Sequence, residues 1–192
     1  MESLFVSTGV VALAEIGDKT QLLAFILAAR FKKPVPIIAG ILLATLVNHG
    51  LAGALGAWIT ATISPDVLRW ILGVSFIAMA AWTLIPDKIE DEETQVAQKL
   101  GVFGATLVTF FLAEMGDKTQ IATVAMAAHY PDPMLVVAGT TLGMLIADVP
   151  AVFVGDKLAG KIPMKLVHSI AAGMFAVLGV ATLLGAGARW GM

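Results

Sequence analysis

The sequence predicts an all-α membrane protein, six transmembrane helices arranged as two inverted three-helix repeats. Three observations predict it. Hydrophobic residues make up 58% of the 192 positions and charged ones only 14%, well under the roughly 25% usual in a soluble domain. The few charges are clustered, which leaves apolar stretches that no water-facing surface accommodates, and mean hydropathy is +0.90. The chain also aligns with itself without a gap, Ala14 falling on Ala113 and every later pair keeping that register.

A helix that crosses the hydrocarbon core needs about 20 mostly apolar residues. The sequence offers six such stretches, at 4–29, 35–59, 67–85, 101–128, 134–154 and 166–186. Each separator carries Pro or charge, as in Arg30-Phe31-Lys32-Lys33-Pro34 and His129-Tyr130-Pro131-Asp132-Pro133, and these end a helix cheaply outside lipid. The organisation is therefore a first repeat over 1–86, an acidic linker over 87–99 and a second repeat over 100–192.

Lys and Arg set the orientation, because they are retained on the cytoplasmic side. Arg30, Lys32, Lys33, Lys88, Lys99, Lys157, Lys161 and Lys165 fall in the first, third and fifth loops. Only Arg69 and Arg189 fall on the other side, while Lys19 and Lys118 lie within predicted spans. Both termini are thus expected outside the cytoplasm and the acidic linker inside it. The start, Met1-Glu2-Ser3-Leu4, has no positive n-region, so a cleaved signal peptide is not expected. A multi-pass protein of the bacterial inner membrane is the expected location.

Other classes lose support quickly. There is no cysteine, hence no disulfide framework and no thiolate metal site. No basic patch suggests nucleic acid, and no Walker loop, nucleophile elbow or dinucleotide fingerprint suggests an enzyme or an ATP-driven pump. No bound cofactor is expected.

The repeat pairs Ala14-Glu15-Ile16-Gly17-Asp18-Lys19-Thr20-Gln21 with Ala113-Glu114-Met115-Gly116-Asp117-Lys118-Thr119-Gln120. In the same register Pro34 meets Pro133, Gly40 meets Gly139 and Phe76 meets Phe175. Three spans are an odd number, so the second copy lies upside down relative to the first. Inverted repeats typify secondary transporters, whose sites sit near the midplane between the copies.

The best-preserved part is also the costliest. Glu15, Asp18, Glu114 and Asp117, with two lysines, fall near the middle of predicted spans. Unpaired, these charges would cost on the order of 15–20 kcal/mol on insertion scales. Such groups persist only where they pair, meet water or bind something. Glu15 and Asp18 are i and i+3, neighbours on one helix face, and so are Glu114 and Asp117. Inverted symmetry is expected to bring all four carboxylates around one point, with Gly17 and Gly116 permitting close approach or a local break. Thr20, Gln21, Thr119 and Gln120 add neutral oxygens. That set is hard, suited to magnesium, calcium or manganese. Lys19 and Lys118 either limit the negative charge of the empty site or snorkel towards an interface.

The second and fifth spans add Asn48-His49 and, at the equivalent place, Ala147-Asp148. Asp148 is a fifth intramembrane acid, and Pro150 beyond it can unwind the helix. His49 either serves the ion or a proton, or hydrogen-bonds Asp148. The candidate ion ligands are therefore Glu15, Asp18, Glu114, Asp117, Gln21, Gln120, Asn48 and Asp148. Gly139 and Gly143 form a GxxxG, with Gly40 and Ala44 as counterpart, typical of close helix packing.

The paired E-x-G-D-[KR]-[TS] motif, read here as Glu15–Thr20 and Glu114–Thr119, resembles the signature of the GDT family of membrane cation/proton exchangers. The resemblance spans the chain: six spans, two copies, an acidic central loop. It implies a proton-driven exporter of manganese, or a calcium/proton exchanger, in which the motif acids hold the ion. The partners implied are a divalent metal ion, protons and the lipid bilayer. A cation channel and a non-transporting scaffold are the readings left open from other classes.

Overall fold

The computed structural model describes residues 1–85, 100–154 and 164–185, and every regular element among them is a helix. In chain order these are α1 (Glu2–Glu15), α2 (Lys19–Phe31), α3 (Pro34–Thr62), α4 (Pro65–Thr83), α5 (Gly101–Glu114), α6 (Lys118–His129), α7 (Pro133–Val154) and α8 (Met164–Leu183). The acidic linker at 87–99, most of the loop at 155–165 and the last residues lie outside the described residues.

Helix limits follow local chemistry. Pro34 and Pro65 open α3 and α4 in the first turn, where a missing N–H costs nothing. Asp132 caps α7 by accepting from Met134 N at 3.0 Å and Leu135 N at 3.2 Å. Lys32, in the left-handed region at φ 53°, closes α2 onto Ala28 O. Pro150 sits inside α7, which continues to Val154. The unwinding expected there does not occur, since one missing donor and a local kink leave the other helical bonds standing.

The first and fourth predicted spans are each two helices, broken between Glu15 and Lys19 and between Glu114 and Lys118. Three helices are individually long and apolar enough to cross a membrane: α3, α4 and α7. α5 and most of α8 are shorter apolar helices. Large apolar side chains such as Trp58, Trp70, Phe153 and Val177 lie exposed on the outer surface, the arrangement of a protein whose solvent is lipid.

Packing crosses between the two halves of the sequence. α1 packs on α7 and α5 on α3; α2 packs on α7 and α6 on α3; α2 meets α5 and α1 meets α6. The close α3–α5 approach depends on Gly40, where a Cβ would come within 2.7 Å of Thr106. The equivalent α7–α1 approach depends on Gly139, where a Cβ would come within 2.6 Å of Leu4 O. α4 and α8 pack on each other, α4 also on α6 and α8 also on α1. Two apolar clusters result. One gathers Val10, Val11, Phe76, Met126 and Phe175 from α1, α4, α6 and α8. The other gathers Leu23, Ile37, Ile41 and Phe110 from α2, α3 and α5. The two helix breaks join one cluster to the other.

Candidate metal-ion site

Both breaks have the same backbone. Ile16 (φ −63°, ψ 116°) and Met115 (−63°, 118°) leave the helix in extended conformation. Gly17 at φ 85° and Gly116 at φ 75° follow, a region that side-chain-bearing residues reach only with strain. Asp18 and Asp117 then cap the next helix: Asp18 Oδ1 accepts from Lys19 N at 2.6 Å, and Asp117 Oδ2 from Thr119 N at 3.5 Å. A glutamine reaches back to finish each turn. Gln21 Oε1 accepts from Gly17 N at 2.9 Å and Gln120 Oε1 from Gly116 N at 2.7 Å, a variant of the capping box. The motif is therefore a helix-break device: glycine for the positive φ, aspartate for the cap, glutamine for the glycine N–H.

Gln21 and Gln120, expected as neutral ligands, each use Oε1 to close a break. Their amide groups point onward, Gln21 Nε2 to Ala147 O at 2.9 Å and Gln120 Nε2 to Asn48 Oδ1 at 3.3 Å. Asn48 in turn donates to Phe111 O at 3.1 Å, so it ties α3 to α5 and α6.

The lysines pair across the halves. Lys118 Nζ lies 3.2 Å from Asp18 Oδ2, and Lys19 Nζ lies 3.5 Å from Asp117 Oδ1. Neither snorkels: Lys118 is 1% exposed and Lys19 20%. His49, for which the sequence suggested Asp148 as hydrogen-bond partner, instead stands with Nε2 3.5 Å from Glu114 Oε2. The same oxygen accepts from Thr119 Oγ1 at 3.1 Å.

Glu15, Asp18, Glu114, Asp117, Asp148, Asn48 and His49 are all buried. Glu15 is within Coulombic reach of Glu114, Asp148, Asp18 and Asp117, and Asp148 of Glu114 and Asp18. The five acids thus form one electrostatic cluster. They do not ring one point as expected: among the described residues, no three His, Asp or Glu side chains stand close enough to share a metal ion. The two aspartates are engaged by their caps and by the lysines.

What the cluster lacks is donors. Both carboxylate oxygens of Glu15, both of Asp148 and Oε1 of Glu114 have no hydrogen-bond partner among the described residues. A buried carboxylate in that condition is costly unless a cation or a proton meets it. Two hydroxyls missed from the sequence join this group. Thr45 and Thr141 are buried without a hydrogen-bond partner among the described residues. The signal was helical spacing: Thr45 precedes Asn48 by about one turn and Thr141 precedes Asp148 by about two.

Helix C-termini carry partial negative charge, and α1 and α5 both end at this cluster. Unpartnered carboxylates, hydroxyls and half-helix ends inside a lipid-exposed bundle define a membrane transporter for cations. A sequence profile described as "Divalent cation/proton antiporter GDT1" matches residues 3–91 and again residues 102–190. The chain belongs to this family, whose members are transporters and not enzymes. It is 52% identical over 183 residues to a Vibrio cholerae protein named "Putative manganese exporter", covering 95% of this chain and 90% of that one. A "GDT1-like protein 3" of rice is 31% identical, covering 91% and 71%. A GDT1-like protein of Synechocystis is 31% identical, covering 88% and 91%. No solved structure matches the chain.

Proposed function

We propose that this protein exports Mn2+ across the bacterial inner membrane in exchange for protons. The observation that carries the reading is the set of buried carboxylate oxygens left without donors on Glu15, Asp148 and Glu114, gathered at two matching helix breaks. Glu15, Glu114 and Asp148 are the primary ligands, drawn together from their present spacing as the ion binds. Asp18 and Asp117 join when their lysines leave, and Asn48, Thr45 and Thr141 complete the oxygen set. The ion is divalent and hard by this donor chemistry. Manganese is chosen over calcium because His49 adds a nitrogen beside Glu114, and because the Vibrio relative's name points the same way.

The arrangement is six spans in two inverted copies, each copy opening with a span made of two half-helices. Its support is the double profile match and the packing of each helix on the other half of the chain. With both termini outside, α1 and α6 form the outer half of the bundle. α4 and α8 close over that half, so the ion is reached from the cytoplasm in this form, and rocking of the copies exposes it outside. Cysteines at Lys33 and Asp66, both exposed, label from opposite faces if this orientation holds.

Proteoliposome flux tests the function. With Mn2+, Ca2+, Mg2+ and Zn2+ compared at a fixed pH gradient, saturable Mn2+ flux coupled to proton movement is the expected result. Non-saturating, ohmic flux would establish a channel. Full transport after Glu15→Gln combined with Glu114→Gln would remove these acids from the site.

A further inference from the structure

The two motif ammonium groups, Lys118 buried and Lys19 partly so, are the least explained charges among the described residues. Lys19 and Lys118 occupy the first positions of α2 and α6, where a cation opposes the helix dipole. Local helix stability therefore does not account for them. Their ion pairs run between the two halves of the chain. Each crosses to the aspartate of the other break, Lys118 to Asp18 at 3.2 Å and Lys19 to Asp117 at 3.5 Å. Together they carry two positive charges, the charge of one divalent ion.

We propose that Lys19 and Lys118 are tethered stand-ins for the transported ion. They hold Asp18 and Asp117 while the site is empty, and the incoming dication displaces them. The inference rests on reading the motif acids as the ion site. Its physical basis is charge balance. Moving bare carboxylates through a low-dielectric interior is prohibitive, so an empty carrier must fill its site before it rearranges. Two tethered ammonium groups fill part of it with the same charge as the cargo. The lysine stem is long and flexible enough to swing its head from one partner to another. Exposure sets the order of release: Lys19, 20% exposed, leaves before Lys118, 1% exposed.

A purely structural pair of cross-links makes the opposite prediction, because losing a rivet weakens binding, exchange and net transport together. Three quantities separate the two in the full-length protein: equilibrium Mn2+ binding in detergent, exchange of radiolabelled Mn2+ for Mn2+ in proteoliposomes, and net Mn2+ transport driven by a pH gradient. Removing a competing ammonium with Lys118→Gln should tighten Mn2+ binding on the order of tenfold, within the usual range for coupled binding events. Net transport should fall by at least a similar factor, because the Mn2+-free, proton-loaded return is impaired, while exchange, which never makes that return, falls far less. Lys118→Arg keeps the charge and should lower both fluxes by one common factor.

Unchanged or weaker Mn2+ binding in Lys118→Gln, or exchange and net transport falling together, overturns the proposal. If Lys118→Gln does not fold, Lys19→Gln, at the more exposed pair, is read for the same split. Asp18→Asn tells the two levels of the reading apart. Mn2+ binding lost in Asp18→Asn without a split in the lysine variants defeats the stand-in role alone. Mn2+ binding at wild-type strength in Asp18→Asn defeats the ion site and the stand-in role with it.

Discussion

The two motif copies are duplicates in backbone and unlike in surroundings. Ile16-Gly17-Asp18 and Met115-Gly116-Asp117 trace the same path, with matching glutamine hydrogen bonds, although Asp18 accepts from Lys19 N and Asp117 from Thr119 N. The glutamates before them part company. Glu114 has His49 at 3.5 Å and the Thr119 hydroxyl at 3.1 Å. Glu15 has no hydrogen-bond or ion-pair partner among the described residues, and Asp148, at the place equivalent to His49, adds negative charge nearby. Duplication preserved the device that breaks the helix and puts an acid at the break. Change at Asn48-His49 against Ala147-Asp148 then made one half of the site acidic and the other mixed.

The sharpest way to break that comparison is to neutralise each glutamate separately. Glu15→Gln should lower Mn2+ flux by about a hundredfold or more, the scale of removing one member of a buried charged contact. Glu114→Gln should cost less, because His49 and the Thr119 hydroxyl already stand beside Glu114 as partners. Asp148→Asn should resemble Glu15→Gln. Equal losses at Glu15 and Glu114 in proteoliposome flux would show the halves to be equivalent.

The glycines test the other side of the comparison, where the copies should agree. Gly17→Ala and Gly116→Ala each force a side chain into the left-handed region, at roughly 1–2 kcal/mol. Because the backbone is the same, the two variants should lose thermal stability by matching amounts, and flux should fall in both as the acids shift. A large difference between them would mean that the breaks are alike only in outline.

Selectivity comes next in size. Manganese accepts nitrogen more readily than calcium does, so His49→Ala should narrow the Mn2+-to-Ca2+ flux ratio by roughly threefold to tenfold. An unchanged ratio would move selectivity to cavity size and carboxylate geometry, and the mixed half would lose its assigned role.

Much of this was legible before any coordinates. The register linking Glu15 to Glu114 located the four motif acids, with a break at Gly17 and Gly116 as one of two readings, and Asp148 was named because a buried charge is conspicuous in an apolar stretch. Sequence spacing reports neighbours along one helix, however, and not what faces it from another. It therefore placed Lys19 beside Asp18 and missed Asp117 on the far helix. It offered Gln21 and Gln120 to the ion because the glycine N–H groups that claim them appear only once the break has its shape. For His49 it left open an ion or proton role or a hydrogen bond to Asp148, whereas α3 carries His49 against Glu114 at the end of α5. The packing of α4 and α8 on α1 and α6 was not read from the sequence, since an apolar face in lipid does not name the helix that covers it.

That packing supports the smallest prediction. Where α4 meets α6, His129 stands edge-on to Phe76 at 6.0 Å and to Tyr130 at 4.9 Å between ring centres. Both polar rings lie in the connector after the fourth predicted span. Burial lowers the His129 pKa below its ordinary 6.5, against a weaker upward pull from Glu2. Burial and Glu2 push Tyr130 up to about 12. Folding therefore favours neutral His129, and the unfolded chain binds the proton more readily. Stability from this contact is complete above pH 6.5 and is lost as the pH falls below it. Tyr130 stays protonated throughout that range and adds no slope. The midpoint of thermal unfolding should thus drop as the pH is lowered from 7 to 5, and His129→Phe, which keeps a ring against Phe76, should remove roughly 1–2 °C of that drop. A His129→Phe protein whose midpoint follows the wild-type pH curve would mean that the α4–α6 contact does not sense the proton, and that acid acts on the bundle through some other group.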